Sequence, residues 1–238
     1  MVNVVAINGS PRMEKGSTAK LLESYLRGME DAGASTKLRY ASRIKARPCS
    51  GDMNCWYKRP GRCHVHDPMQ ELYPEVSDAE ILVLATPVFI PLPGDMQNLL
   101  NRLCPLVDPD LRFENGRTRA RLRQGVRLSK VVLVSTGAWW ELQNFATLVR
   151  IVEELASDMG IEYSGAVLRP HAFLLSKDGE MADKIYKAVR RAGSQMILEG
   201  RMSKELLDLI SQPLVPEEEL RTIWNEWNRD AKKELPRD

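Results

Sequence analysis

The amino-acid sequence predicts an α/β protein with a doubly wound, five-stranded parallel sheet and helices on both faces. Three observations predict this class. Short apolar runs rich in β-branched residues recur along the chain, each run ends directly in a loop of Gly, Ser, Thr or Pro, and most of these loops lead into apolar residues at helical spacing. Strands buried on both faces are expected to be continuously apolar, and helices usually connect parallel strands. Repetition of strand, loop and helix therefore indicates an open sheet.

The first strand is predicted over residues 2–7, an apolar run that ends in Asn8-Gly9-Ser10-Pro11. Apolar side chains then recur at helical spacing over residues 19–29, and Gly33 ends that helix. The second strand is predicted at residues 35–40. A parallel strand after a crossover helix completes one β-α-β unit.

Three further strands are predicted at residues 81–85, 131–135 and 165–169, followed by helices over residues 96–103, 145–155 and 184–198. Open α/β sheets bind their ligands beyond the carboxyl ends of the strands. We therefore expect the loops that begin at Asn8, Thr86 and Thr136 to converge on one crevice.

Three segments lie outside this repeat. Residues 42–70 and the arginine-rich residues 105–127 are predicted to be long loops inserted at the sheet ends. Residues 1–200 are predicted to form the main domain, and residues 201–238 a helical extension that packs on this domain or on a neighbouring subunit. Trp224 and Trp227 in the extension are candidates for such an interface.

The composition is that of an ordinary globular protein. The 238 residues are 43% apolar and 28% charged, with a formal net charge of +2. Nucleic acid is not expected as a partner, because the usual excess of basic residues is missing. No apolar stretch approaches the roughly 20 residues needed to span a bilayer, and the start of the sequence does not resemble a signal peptide. We therefore expect a cytoplasmic protein without a membrane partner.

The loop after the first strand has the residue types of a phosphate site. Backbone N–H groups at a helix N-terminus attract anions, and the loop adds hydroxyl groups, glycine and a guanidinium group from Ser10, Arg12, Gly16, Ser17 and Thr18. Neither a nucleoside-triphosphate loop nor a dinucleotide fingerprint is present, which favours a monophosphate. The alternative is a capped helix after a glycine turn with no ligand.

Two later strand-end loops carry apolar and aromatic residues at the expected crevice. The first is Thr86-Pro87-Val88-Phe89-Ile90, and a flat apolar ring could lie against it. The second is Thr136-Gly137-Ala138-Trp139-Trp140. Its two tryptophans are as consistent with covering the sheet end or an interface as with contacting a ligand.

Taken together, these motifs resemble the superfamily of NAD(P)H-dependent FMN reductases and iron–sulfur flavoproteins, over roughly residues 1–200. The residues that carry the resemblance are Gly9-Ser10-Pro11-Arg12 with Gly16-Ser17-Thr18, residues 49–69, Thr86-Pro87-Val88-Phe89 with the helix over 96–103, and Ser135-Thr136-Gly137. The resemblance implies a flavodoxin-like fold with strand order 2-1-3-4-5. It also implies FMN as cofactor, NAD(P)H as electron donor, and a homodimer or homotetramer.

The resemblance also implies a role for each matching residue. Ser10, Arg12, Gly16, Ser17 and Thr18 would surround the FMN phosphate. The isoalloxazine would be lined by Pro87, Val88, Phe89, Ile90, Thr136 and Gly137. Many relatives have Tyr at the position of Phe89, so this chain would lack that hydroxyl contact.

Residues 42–70, which we call the cysteine segment, depart from the iron–sulfur pattern. Relatives with a cluster carry Cys-x-x-Cys-x-x-Cys and a later fourth Cys, whereas this chain has Cys49, Asp52, Cys55 and then Cys63. A carboxylate is a harder and weaker ligand for iron than a thiolate, so an iron–sulfur cluster is not expected. Cys49, Cys55 and Cys63 remain candidate metal ligands, with zinc and His64 or His66 as one possibility and a relic packed under a loop as the favoured one.

The sequence thus predicts an oxidoreductase that passes electrons from NAD(P)H through FMN to a small-molecule or protein acceptor. The hydride chemistry would belong to the cofactor, so no catalytic side chain is identified. Two alternatives stay open: an electron-transfer protein of the iron–sulfur flavoprotein type, and a non-enzymatic FMN-binding module.

Overall fold

The computed structural model describes residues 1–114, 116–176 and 179–233. Its strands are β1 (Asn3–Asn8), β2 (Ser35–Tyr40), β3 (Ile81–Pro87), β4 (Val107–Glu114), β5 (Arg117–Leu122), β6 (Lys130–Thr136) and β7 (Glu162–Arg169). Its α-helices are α1 (Ser17–Asp31), α2 (Ala41–Ile44), α3 (Asn54–Tyr57), α4 (Met69–Asp78), α5 (Gly94–Asn101), α6 (Ala146–Met159), α7 (Glu180–Leu198), α8 (Lys204–Ser211) and α9 (Glu217–Lys233). Short 3-10 helices span Met13–Lys15, Cys104–Leu106, Leu142–Phe145 and Ala172–Ser176.

The main sheet has five parallel strands in the order β2-β1-β3-β6-β7. This is the predicted order 2-1-3-4-5, and it confirms the flavodoxin-like fold. The chain passes from β1 to β2 on one side of β1 and then crosses to β3 on the other side, so the topological switch point lies between β1 and β3. Ligands of doubly wound sheets bind outside the carboxyl ends of the strands at such a point.

A hydrophobic core covers each face of the sheet. Helices α4, α5 and α6 cover one face, and α1, α7 and α8 cover the other. Helices α1 and α7 approach each other closely, since a Cβ atom added to Gly193 would lie 2.1 Å from the backbone oxygen of Tyr25. This contact between backbones fixes α1, whose N-terminus faces the switch point.

The prediction of a long loop over residues 105–127 is wrong. Strands β4 and β5 form an antiparallel hairpin in this segment. The sequence signal for this hairpin was the alternation of arginine with smaller or apolar residues from Arg117 to Leu122. The high density of charged residues obscured that alternation. Arg117 and Arg119 both reach Glu154 on α6, so the hairpin is held against that helix by ion pairs.

The other predicted loop, residues 42–70, contains the end of α2, the short helix α3 and the start of α4. A buried ion pair fastens it to the end of α5, because Arg102 donates to both carboxylate oxygens of Asp67 at 2.8 and 3.1 Å. Arg102 also donates to the backbone oxygen of Arg47 at 2.9 Å, and Trp56 Nε1 donates to that of Cys104 at 3.0 Å. The segment is therefore bonded to the domain along its length.

The C-terminal helices return to the carboxyl end of the sheet. Buried Arg169, the last residue of β7, donates to the backbone oxygens of Ile210 and Gln212, and His171 Nε2 accepts from the backbone N–H of Leu214 at 2.9 Å. These bonds fix the link between α8 and α9. Within the part of the chain that the structure describes, no helix is both long and apolar enough to cross a membrane.

Candidate functional site

A cavity of about 230 Å³ lies at the carboxyl end of the sheet, beside the switch point. We call it the strand-end cavity. Loops after β1, β3, β6 and β7 form its walls, which are lined by Ser10, Pro11, Arg12, Gly16, Ser17, Thr18, Pro87, Val88, Phe89, Thr136, Gly137, Ala138, Ala172 and Phe173. The predicted site residues come together here, apart from Ile90. That residue is fully exposed and does not line the cavity.

The loop after β1 is folded around its own polar side chains. Asn8 Oδ1 accepts from the backbone N–H of Ser10 at 2.8 Å, and Ser10 Oγ accepts from that of Arg12 at 3.3 Å. A Cβ atom on Gly16 would lie 2.9 Å from Ser10 Oγ, so only glycine leaves this turn undistorted. Among the described residues, no side chain caps the N-terminus of α1. Its first backbone N–H groups therefore remain free to bind an anion.

Hydrogen bonds join the loops to one another. Thr18 Oγ1 and Thr136 Oγ1 lie 2.7 Å apart and are buried, which ties α1 to the end of β6. The backbone N–H of Val88 donates to the oxygen of Thr136 at 2.9 Å. A Cβ atom on Gly137 would meet the Phe145 ring at 3.0 Å. The apolar side of the cavity is thus held in a fixed shape beside the polar loop.

Sequence reasoning missed the contribution of the loop after β7. Ala172 and Phe173 line the cavity, and the backbone N–H of Ala172 donates to the oxygen of Gly137 at 3.0 Å. The available signal was the position of β7 beside β6, because parallel neighbours end at the same edge of the sheet. Trp139 and Trp140 line a neighbouring cavity rather than this one.

His171 has a structural role at the carboxyl end of the sheet. It is fully buried, and Nε2 lies 3.0 Å from Arg169 Nη2 while also accepting from Leu214. Burial, followed by the charge of Arg169, lowers the pKa of His171 to about 4. The ring is therefore neutral at physiological pH, with its proton on Nδ1.

The cysteine segment forms a different kind of surface. Asp52, at the position of the missing cysteine, accepts from the backbone N–H of Asn54 at 2.9 Å and lies 3.1 Å from His64 Nδ1. Burial, with smaller effects from the other cysteines, raises the pKa of Cys55 to about 11, so this thiol stays protonated. In residues 1–114, 116–176 and 179–233, no group of three His, Cys, Asp or Glu side chains could hold a metal ion.

Comparison with known proteins identifies the family of this chain. The model of the NADPH-dependent FMN reductase family matches residues 2–137, which include the loops after β1 and β3 and the first residue after β6. An iron-sulfur flavoprotein from Archaeoglobus fulgidus is 30% identical over 105 residues, covering 44% of this chain and 46% of the relative. The chain thus spans about half the length of the curated relatives it matches.

Solved structures show the same fold. An FMN-dependent NADH-azoreductase from Bacillus anthracis, in complex with FMN, has a TM-score of 0.60 at 13% identity over 83% of this chain and 100% of that one. A putative quinone reductase from Klebsiella pneumoniae has a TM-score of 0.62 at 11% identity over 85% and 86%. The family resemblance in the sequence is confirmed: this chain belongs to the NADPH-dependent FMN reductase family.

Proposed function

We propose that the chain binds FMN in the strand-end cavity and transfers electrons from NAD(P)H through it to an acceptor. One observation carries the proposal: the anion-binding corner after β1 and the apolar loops after β3 and β6 line a single cavity. A phosphate monoester joined to a flat ring system needs these two surfaces side by side.

The residues that line the strand-end cavity fit both the phosphate and the isoalloxazine ring of FMN. The phosphate would be held by free N–H groups at the start of α1, by the hydroxyl groups of Ser10, Ser17 and Thr18, and by Arg12. The isoalloxazine would lie against Pro87, Val88, Phe89, Thr136 and Gly137. When bound, FMN supplies a hydride acceptor that can pass two electrons onward. The protein side chains bind and orient the ring and exclude water, and hydride transfer requires no nucleophile from them.

The test is to titrate purified protein with FMN and follow flavin fluorescence, and then to measure NADH and NADPH oxidation by the loaded protein. We expect saturable binding of one FMN per chain and cofactor oxidation that depends on it. Absence of FMN binding by the folded protein would refute the proposal. Binding without oxidation of either nicotinamide cofactor would instead identify an FMN-binding module.

The residues do not fit the cluster that the curated relatives' name implies. Asp52 replaces one cysteine and is already engaged by Asn54 and His64. The thiols are not arranged as a metal site in the described part of the chain. We therefore propose that electrons pass through FMN alone, and iron analysis of anaerobically purified protein would test this.

We also propose that residues 1–200 act as the flavin-binding unit and that residues 201–238 form an extension of it.

We further propose that the chain assembles as a homo-oligomer. Phe89 and Ile90 near the cavity are at least half exposed, which suits burial against a second copy. Light scattering on the FMN-loaded protein would give the number of subunits. A monomer at micromolar concentration would contradict the proposed assembly.

A further inference from the structure

We propose that a second cavity, between the loop after β6 and helix α9, is the acceptor site, and that the acceptor is a flat, uncharged aromatic compound bearing carbonyl or amide groups. The cavity has a volume of about 530 Å³. We call it the tryptophan cavity because Trp139, Trp140 and Trp224 line it. Its identification as the acceptor site rests on the proposed function, whereas its ligand chemistry follows from its own residues.

The tryptophan cavity adjoins the strand-end cavity. Ala138 lines both of them. Phe173, in the wall of the strand-end cavity, contacts Trp224 of the tryptophan cavity with the two rings tilted by 57° and their centroids 5.6 Å apart. A ligand in the tryptophan cavity would therefore lie beside the proposed flavin position.

The aromatic walls are held in place and remain accessible. Trp139 and Trp224 meet edge to face with centroids 5.2 Å apart, and Trp140 Nε1 donates to the backbone oxygen of Val215 at 3.0 Å. Trp139 is still 53% exposed. Fixed, partly uncovered indole rings favour stacking with another flat ring.

The polar lining favours an uncharged ligand. Asn225 and Asn228 offer amide groups that suit a carbonyl or amide substituent. Asn144 Nδ2 already donates to the backbone oxygen and to Oε2 of Glu141, at 2.9 and 3.1 Å. The charged residues are Glu141, Glu217 and Arg221, and Arg221 Nε already donates to Glu217 at 3.0 Å. The two glutamates and one arginine give the lining a net negative charge, and the arginine is already paired. An anionic compound is therefore disfavoured, and so are the phosphates of a dinucleotide.

The cavity belongs to the part of the chain beyond the family match, which ends at residue 137. Helix α9 forms one wall, and its position is set by the bonds from Arg169 and His171 to the α8–α9 link. The C-terminal extension would thus give this chain its acceptor preference, while the strand-end loops bind the cofactor.

The first experiment compares 2-naphthamide with 2-naphthoate, which share a ring system and differ in charge, by calorimetric titration of the FMN-loaded protein. We expect the amide to bind at least about tenfold more tightly. Trp224→Ala should weaken 2-naphthamide binding about tenfold without changing FMN affinity. Trp227→Ala is the matched control, since Trp227 is in the same aromatic cluster but not in the cavity lining.

The second experiment changes charge and leaves the core intact. Glu217→Gln removes an exposed carboxylate and frees Arg221, so 2-naphthoate should bind about threefold more tightly. Glu218→Gln alters the neighbouring exposed residue outside the lining and should have no effect. Equal effects of the two glutamate variants, or equal losses in the two tryptophan variants, would overturn the assignment.

The acceptor role is tested with 1,4-naphthoquinone. Its reduction to the hydroquinone takes two electrons and two protons. One hydride equivalent comes from NAD(P)H and supplies both electrons and one proton, and the second proton comes from solvent. Trp224→Ala should raise its KM about tenfold with kcat little changed. An unchanged KM in a variant that still binds FMN refutes the acceptor site alone. Loss of FMN binding in the unmodified protein refutes the proposed function, while 2-naphthamide titration of the same protein still decides whether the cavity is a site.

Discussion

The strand-end cavity is formed by loops of the repeated strand–loop–helix pattern, whereas the cysteine segment is inserted into that pattern, and the two regions use their polar groups in opposite ways. The loop after β1 leaves the first N–H groups of α1 free toward a cavity. The cysteine segment turns one carboxylate inward, where Asp67 forms a buried ion pair with Arg102 at the end of α5. The first arrangement is ready to bind a ligand, and the second fastens a loop to the domain.

The largest expected effect is a loss of stability that leaves FMN affinity unchanged. Asp67→Ala leaves the Arg102 guanidinium buried without its partner, so the free energy of unfolding should fall by about 3–5 kcal/mol. Urea unfolding measures this, and FMN affinity of the folded variant should not change. Asp52→Ala in the same segment removes an exposed carboxylate and should cost much less. A large loss of FMN affinity in folded Asp67→Ala would erase the distinction between the two regions.

The second prediction disturbs the ligand-binding region alone. Gly16→Val places a side chain against Ser10 Oγ, so the loop must open and the phosphate loses several hydrogen bonds. We expect FMN to bind about 100-fold more weakly, with a small change in stability. Gly94→Ala is the control, because an added Cβ atom there meets nothing within 4 Å. Unchanged FMN affinity in Gly16→Val would place the phosphate elsewhere.

The two regions should also differ in their response to pH. Because the pKa of His171 is lowered to about 4, the folded state resists protonation of this ring, while the unfolded chain takes up the proton near pH 6.5. Stability from this residue is therefore complete above pH 6.5 and lost as pH falls toward 4. Between pH 7 and pH 5 we expect a loss of about 2 kcal/mol in urea unfolding.

The matched variants for this pH effect are His171→Gln and His64→Gln. The first should remove the pH dependence in this range, since glutamine does not titrate. The second should keep it, because that variant leaves His171 unchanged. An identical slope in both variants would show that other groups cause the loss.

A smaller effect is expected from Arg12, an exposed residue of the strand-end cavity. Arg12→Ala removes one charge-assisted contact to the phosphate and should weaken FMN binding about tenfold. The loss should shrink at high salt. Arg59→Ala, an exposed arginine of the cysteine segment, should leave the fluorescence titration unchanged.

The smallest effect is expected at Cys49, an exposed free thiol. Cys49→Ser should change stability by less than about 0.5 kcal/mol and leave FMN affinity as it was. Metal analysis of both proteins should give the same result. A metal that is present in the unmodified protein and lost in the variant would make the cysteine segment a ligand-binding region after all.

The sequence was sufficient to predict the sheet and most of the residues that line the strand-end cavity. A strand buried on both faces is apolar throughout, and the geometry of a parallel sheet then brings the loops after β1, β3 and β6 together. The same geometry should have indicated Phe173, but the loop after β7 lacks a glycine or serine motif to mark it. Ile90 could not be separated from Phe89, because only the local path of the backbone turns it outward.

The inserted segments were less predictable because distant contacts determine them. The hairpin of β4 and β5 depends on Glu154 on α6, and the cysteine segment depends on Arg102 at the end of α5. Neither pairing leaves a local pattern. The tryptophan cavity likewise depends on contacts between residues distant in sequence, among them the bonds from Arg169 and His171 to the α8–α9 link.

The close contact of α1 and α7 has a consequence for how this protein can diverge. At Gly28 and Gly193 the two helices touch through main-chain atoms, with no room for even a methyl group. The corner at the start of α1 is therefore located by peptide groups, which stay the same whatever side chains surround them. Exchange of outer residues can proceed without shifting that corner, provided that these two glycines persist.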